Sequence, residues 1–351
     1  LVAQGEELGK AQIARLFTAE GRDFDHVRAF ANELREDRVG ETITHVVNRN
    51  INYTNTCLYR CGFCAFSKGS TRSERGPAYN IDHQEIARRT VEAWERGASE
   101  VCLQGGIHPS YDGRTYRGIV EAVKAAVPQM HVHAFSPLEV HHGATTLGLS
   151  YEDYLTDLKE AGLATLPGTA AEILSDDIRS VICADKVNTQ EWLSVMRAAH
   201  KVGLPSTATI MFGHVETYDH WAEHLLQLRM LQQETGGFTE FVPLPFVHME
   251  APNWRRGETR SGPTWRETVL MHAVARIALD GAISNIQTSW VKLGPDGAAA
   301  MLQYGANDLG GTLIDESITR AAGGVNGQIF DVPQMQLLAD GLGRPLRERS
   351  T

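Results

Sequence analysis

Cys57-Leu-Tyr-Arg-Cys61-Gly-Phe-Cys64 gathers three thiols within eight residues. Three cysteines so close together suit metal ligation better than a disulfide. Structural zinc needs four protein ligands, usually as cysteine or histidine pairs. No second Cys pair follows, but His131, His133, His141 and His142 form a local patch that leaves a Cys₃His zinc site open. The other reading is a four-iron cubane held by three thiolates. It leaves one iron without a protein ligand, ready for a small chelating molecule. The remaining cysteines, Cys102 in SEVCLQGG and Cys183 in IRSVICAD, read as small core residues on a buried strand and at a helix end.

Outward from this loop the chain alternates short apolar strands with amphipathic helices, the pattern of a parallel α/β fold. Residues 43–54 predict the strand that delivers the cysteines. Asp82 caps the next helix with Glu85 as its box partner, Ile86, Ala87, Thr90, Val91 and Trp94 form its stripe, and Gly97 ends it. Further strands are expected at 99–104, 130–135, 164–167, 206–212, 238–246, 283–288 and near 306–314, with helices between them. The result is about eight strand–helix units, a (β/α)₈ TIM-type barrel, with chemistry expected at the carboxyl ends of the strands. Residues 1–40 read as a helical extension with the stripe Val27, Phe30, Ala31 and Leu34. Residues 41–320 read as the barrel. Residues 321–351 read as a segment packed on it, ending in a solvated tail with Arg344, Arg347 and Arg349.

At 351 residues the chain fits one barrel plus extensions. No run of about 18 apolar residues predicts a membrane span. A net charge of −10 without a basic block argues against nucleic acid as a partner. No basic-then-apolar signal segment opens the chain, so a cytoplasmic location is expected. Residue 1 is Leu, which suggests a mature piece or one part of a longer polypeptide.

The Cys-x₃-Cys-x₂-Cys spacing, with Phe63 before the last cysteine, resembles the radical S-adenosylmethionine (SAM) enzymes. That resemblance implies a 4Fe-4S cluster on Cys57, Cys61 and Cys64, with SAM on the open iron. It further implies SAM contacts from Phe63, by stacking or simple packing; from the turn Gln104-Gly105-Gly106; from Glu172 to the ribose; and from Thr209, Met211, Gly213 and Glu216 around the adenine. Two departures stand out. Ile107 replaces the Glu that often follows the paired glycines, and Thr209 replaces a Gly. Taken without the resemblance, the glycines read as a plain βα turn and Glu172 as a partner of a helix dipole.

Four stretches resemble one branch more narrowly: Asn48–Asn55, Cys64–Ser67, Gln287–Gly294 and Gly310–Gly323. They are similar to the CofH component of FO synthase, which in fused FbiC-type proteins forms the C-terminal half. This implies transfer of the 4-hydroxybenzyl group of L-tyrosine to 5-amino-6-(D-ribitylamino)uracil, through a 5′-deoxyadenosyl radical, on the path to the deazaflavin FO. A CofG-type subunit or fused domain and an electron donor such as flavodoxin or ferredoxin are the implied partners. His108, Ser136, Glu139, His248, Gln287, Ser289, Lys292 and Asn307 lie at or near predicted strand ends and are candidate substrate contacts. The menaquinone-pathway enzymes aminofutalosine synthase and its cyclising partner share the cysteine loop and stand as the enzymatic rival. A non-catalytic zinc scaffold is the other rival.

Overall fold

The computed structural model describes residues 6–68 and 77–349. The first stave of its barrel is split at Val47 into β1 (Ile43–Val46) and β2 (Asn48–Asn52). β2, β3 (Glu100–Gln104) and β4 (His131–Ala134) run parallel, with Asn48 beside Glu100 and Glu100 beside His131. Single bridges at Thr165 and Leu166 carry the ladder to β5 (Ser206–Phe212), which pairs along its length with β6 (Phe238–Pro245). Bridges at Ile286 and Gln287 lead on to β7 (Asp308–Gly311), which returns to β1. A parallel bridge between Arg49 and Ile314 completes the closure. The expected eight-unit barrel is therefore present, although the staves at 164–167 and 283–288 are reduced to bridges.

Local chemistry sets where the helices start. Asp82 accepts the Glu85 N–H at 2.8 Å, and Ser150, Asn188 and Thr264 accept from the third residue of their own helices in the same way. On β3, Val101 and Leu103 pack outward under the helices, while Glu100, Cys102 and Gln104 occupy the alternate face, toward the barrel interior. Cys102 is accordingly half-buried rather than a core residue. Cys183 is buried at a helix end, as expected.

The N-terminal extension forms the helices Lys10–Leu16 and Gly21–Val39. Val27, Ala31 and Leu34 are buried, and Arg266 ties the turn between the two helices through the Ala19 carbonyl at 2.8 Å.

The C-terminal reading needs correction. After the helix Val332–Gly341 the chain forms β8 (Leu346–Glu348), which pairs parallel with β1. Arg344 is buried and donates to the carbonyls of Leu302 at 2.6 Å and Glu41 at 2.8 Å. Arg349 reaches Glu240 at 3.1 Å and Asp308 at 3.2 Å. Of the three arginines only Arg347 is exposed; residues 350 and 351 lie outside the described residues. The acids inside the barrel need a cation, and that need is invisible in the local sequence.

Candidate active site

The cysteine loop leaves β2 at the carboxyl rim. Cys57, Cys61 and Cys64 line a cavity of about 410 Å³ together with Ser67, Pro109 and Arg256. The loop is held by its backbone. Leu58 N–H donates to the Ile107 carbonyl, Gly62 N–H to Ile182, and Asn253 N–H to Gly62, each at 2.8 Å. Ile107, standing where an acid was absent, is buried, and its N–H donates to the Cys57 sulfur at 3.3 Å. Ser67 N–H does the same for Cys64 at 3.4 Å.

These donors fit a cluster-bearing loop. Burial raises the Cys57 and Cys61 thiols above the ordinary cysteine value, against the pull of backbone N–H groups on Cys57 and of Lys186 on both, and a bound metal would favour the thiolates further. Among the described residues, no three His, Cys, Asp or Glu side chains converge closely enough to hold a single metal ion. The histidines of the proposed zinc patch are engaged elsewhere. His131 and His133 share the Thr165 hydroxyl, His141 meets the Tyr151 hydroxyl and His142 the Tyr111 carbonyl.

The paired glycines after β3 have a steric reason. A Cβ on Gly106 would lie 2.2 Å from the Thr56 carbonyl oxygen and 2.9 Å from the Cys57 Cβ, and one on Gly105 would strike the Tyr53 ring. Only glycine lets this turn pass directly beneath the cysteine loop. The Gln104 carbonyl accepts from Asn52, while those of Gly105 and Gly106 take no donor among the described residues. They suit a ligand ammonium group.

Glu172 sits on the loop after the fourth stave in the left-handed region, with φ of 46°. Its Oε1 accepts from Lys186 at 2.7 Å, and Oε2 takes no described donor. Lys186 was not singled out from sequence. Its ammonium lies 5.5 Å from the Phe63 ring centre, among the cysteines. Burial alone would lower its pKa, but Glu172 and the Cys61 sulfur outweigh that and keep it charged. Arg179 was missed as well. It is buried and donates to the carbonyls of Ala170, Ala171, Ile173 and Val187, so it staples the strained loop that presents Glu172. A Lys or Arg more than a hundred residues beyond the cysteine loop carries no local signal of these roles.

The adenine element is only partly as expected. Met211 N–H donates to the Glu172 carbonyl at 2.9 Å, which joins the end of β5 to the loop of Glu172. The Thr209 hydroxyl donates to the Gly168 carbonyl at 2.6 Å, so it anchors the Glu172 loop at the position where the resemblance implies glycine. Gly213 has φ of 98°, and a Cβ there would meet Pro263. Glu216 turns inward. Its carboxylate takes the N–H groups of Gly213 and His214 and the Trp221 indole, and so it shapes the loop.

Three candidate substrate contacts have structural work instead. Ser136 caps the helix Pro137–Leu147 with Glu139 as its box partner, and Glu139 also takes the Tyr53 hydroxyl and the Gly105 N–H at 3.3 Å. Both carboxylate oxygens are thereby used. Asn307 precedes β7, at the end away from the rim, and bonds Arg276, Ile286 and Asn285. His108 turns back onto Ser110 at the rim. Ser289 is buried at a helix start, and Gln287 packs against Gly310. His248 and Lys292 share a cavity of about 370 Å³.

Fold and site together define a parallel barrel built to hold an iron–sulfur cluster on three cysteines at its rim. Residues 51–228 match the radical SAM superfamily and residues 235–349 the CofH/MqnC C-terminal region; the chain belongs to the radical SAM superfamily, in its CofH branch. That superfamily uses a 4Fe-4S cluster and S-adenosylmethionine. The chain is 46% identical over 349 residues to the 5-amino-6-(D-ribitylamino)uracil–L-tyrosine 4-hydroxyphenyl transferase of Methanocaldococcus jannaschii, covering 99% of this chain and 96% of that one. It is 52% identical over 344 residues to the FO synthase of Nocardia farcinica, covering 98% of this chain but 39% of that protein. The chain thus spans about two fifths of the length of the FO synthases it matches. Methylornithine synthase (PylB) shares the fold, with a TM-score of 0.75 at 17% identity over 98% of this chain and 95% of the other.

Proposed function

We propose that the chain joins the 4-hydroxybenzyl group of L-tyrosine to 5-amino-6-(D-ribitylamino)uracil in the formation of FO. The end-to-end similarity to a transferase of that name carries the reading. The rim supports it: three cysteines on one loop, with two backbone N–H groups aimed at their sulfurs. Reduced cluster and SAM together supply one-electron, carbon-radical chemistry; the protein supplies position. Cys57, Cys61 and Cys64 would ligate three irons. The carbonyls of Gly105 and Gly106 would receive the ammonium of SAM, and Glu172 Oε2 its ribose, with Lys186 holding the carboxylate in place. The closed barrel keeps water from a reactive carbon centre.

A CofG-type domain or subunit and a flavodoxin or ferredoxin donor belong to the same proposal, as does a cytoplasmic location. No helix among the described residues is long and apolar enough to cross a membrane. Anaerobically reconstituted protein, incubated with reductant, SAM, tyrosine and the ribityl uracil, is expected to release 5′-deoxyadenosine and a hydroxybenzyl adduct, read by mass spectrometry. Because the C-terminal match is shared by name with MqnC, a futalosine-pathway substrate belongs in a parallel reaction. Turnover there alone would overturn the assignment.

A further inference from the structure

Lys292 lies in the first turn after Ser289, between the stave at Ile286–Gln287 and the break at Gly294, whose φ is 72°. Its neighbours are pinned: the Trp290 indole donates to the Gly311 carbonyl at 2.8 Å and Asn326 to the Val291 carbonyl at 3.1 Å. Its own ammonium makes no hydrogen bond or ion pair to any described residue. Two acids face it. Glu172 is taken by Lys186, and Glu316 spends Oε1 on the Thr319 N–H at 2.7 Å while its Oε2 is buried without a partner. Neither closes on Lys292.

A half-buried cation without a contact partner loses part of its hydration, and a ligand that supplies the anion makes good that loss. Burial pulls the Lys292 pKa below the ordinary lysine value, against the pull of Glu316 and Glu172. The cavity it lines is walled by Phe246, His248, Trp265 and Asn326, and it shares no residue with the cavity of the cysteines. An anion bound here is therefore held by walls to which the cysteine loop contributes no residue. Aromatic walls around one cation suit an aromatic amino acid. Of the two substrates proposed above, the ribityl uracil carries no carboxylate and tyrosine does.

We infer that Lys292 anchors the carboxylate of the amino-acid substrate, an assignment that rests on the functional reading given above. The cation fixes the backbone end of tyrosine, so the amino group and Cα–Cβ bond are held at one place in the barrel while the ring lies in the aromatic cavity. Lys292 is thus a substrate-binding residue that sets which end of tyrosine meets the radical chemistry.

Equilibrium dialysis of labelled tyrosine against the reconstituted protein tests this, with Lys292→Gln and Lys292→Arg beside the wild type. Lys292→Gln is expected to weaken tyrosine binding about tenfold or more, the loss of one charge-assisted contact, and Lys292→Arg to restore most of it. Tyramine, which lacks the carboxylate, should bind equally weakly to the wild type and to Lys292→Gln, because the two deletions remove the same interaction. Affinity for SAM and the KM for the ribityl uracil should be unchanged. A thermal melt at or above the wild-type temperature is expected for Lys292→Gln, which removes a half-buried charge that has no partner among the described residues. Unaltered tyrosine affinity overturns the anchor, and so does a loss that falls on SAM instead. If the wild type forms the hydroxybenzyl adduct while Lys292→Gln binds tyrosine normally, only the anchor falls. If the wild type neither binds tyrosine nor forms adduct, the functional reading falls with it.

Discussion

Glu172 and Lys186 meet at 2.7 Å, with side chains only 13% and 7% exposed. Each makes sense only through the other. The carboxylate neutralises a lysine that would otherwise be buried alone beside Phe63, and the lysine fixes one oxygen so that the second points away from it. Glu172→Gln keeps the shape and a hydrogen-bond acceptor but removes the charge. The SAM concentration for half-maximal 5′-deoxyadenosine formation should then rise about tenfold, as for loss of a charged hydrogen-bond acceptor. The product should stay the same. An unchanged SAM dependence would move the ribose contact to another residue. Ser136 and Glu139 teach the converse. Polar residues at a strand end need not face a substrate, because helix starts and tight turns also need partners.

The loop after β5 shows how an element is held by one carboxylate. Burial alone would raise the Glu216 pKa, but the His214 ring 2.9 Å away and the backbone N–H groups it accepts outweigh that and hold it to about 2. The unfolded chain, with an ordinary carboxyl near 4.5, binds more protons than the folded chain between these values. The contribution of Glu216 to stability is thus complete above about pH 4.5 and fades as pH falls toward about 2. Urea unfolding of wild type and Glu216→Gln across that acid window should show two curves that differ most at the upper end and converge below it. Parallel curves would mean the group is not held ionised. Met211, at the end of β5 just before this loop, bonds the Glu172 carbonyl through its N–H, so loosening of the loop should be felt at Glu172.

At the scale of the molecule, β8 reaches beneath the barrel and brings Arg349 to acids from two distant staves. Glu240 is buried, and its pKa is raised to about 7 by that burial, against the pull of Arg349. Arg349→Met leaves Glu240 and Asp308 without their cation, and removal of one partner from a buried pair typically costs about 3–5 kcal/mol. Guanidinium unfolding should show that loss. Glu240→Gln in the same background should recover part of it, because the stranded charge is then gone. A neutral Arg349→Met would mean that the strand pairing of β8, rather than its ion pairs, holds the C-terminus.

The sequence alone determined what short-range geometry controls. Three thiols within eight residues must share a loop, Asp82 and Ser150 start helices through N–H groups three residues on, and alternating apolar runs close a parallel barrel. The narrower resemblance of Gln287–Gly294 and Gly310–Gly323 also lay in the residues themselves, and those stretches carry Lys292 and Glu316. Tertiary structure decided which buried charges find partners. Lys186 meets Glu172 across 14 residues and Arg349 meets Glu240 across 109, while Lys292 meets none among the described residues. The reason is physical: spacing along the chain sets distances within a turn or two, but the desolvation of a charge is settled only when the barrel closes and brings remote staves against it.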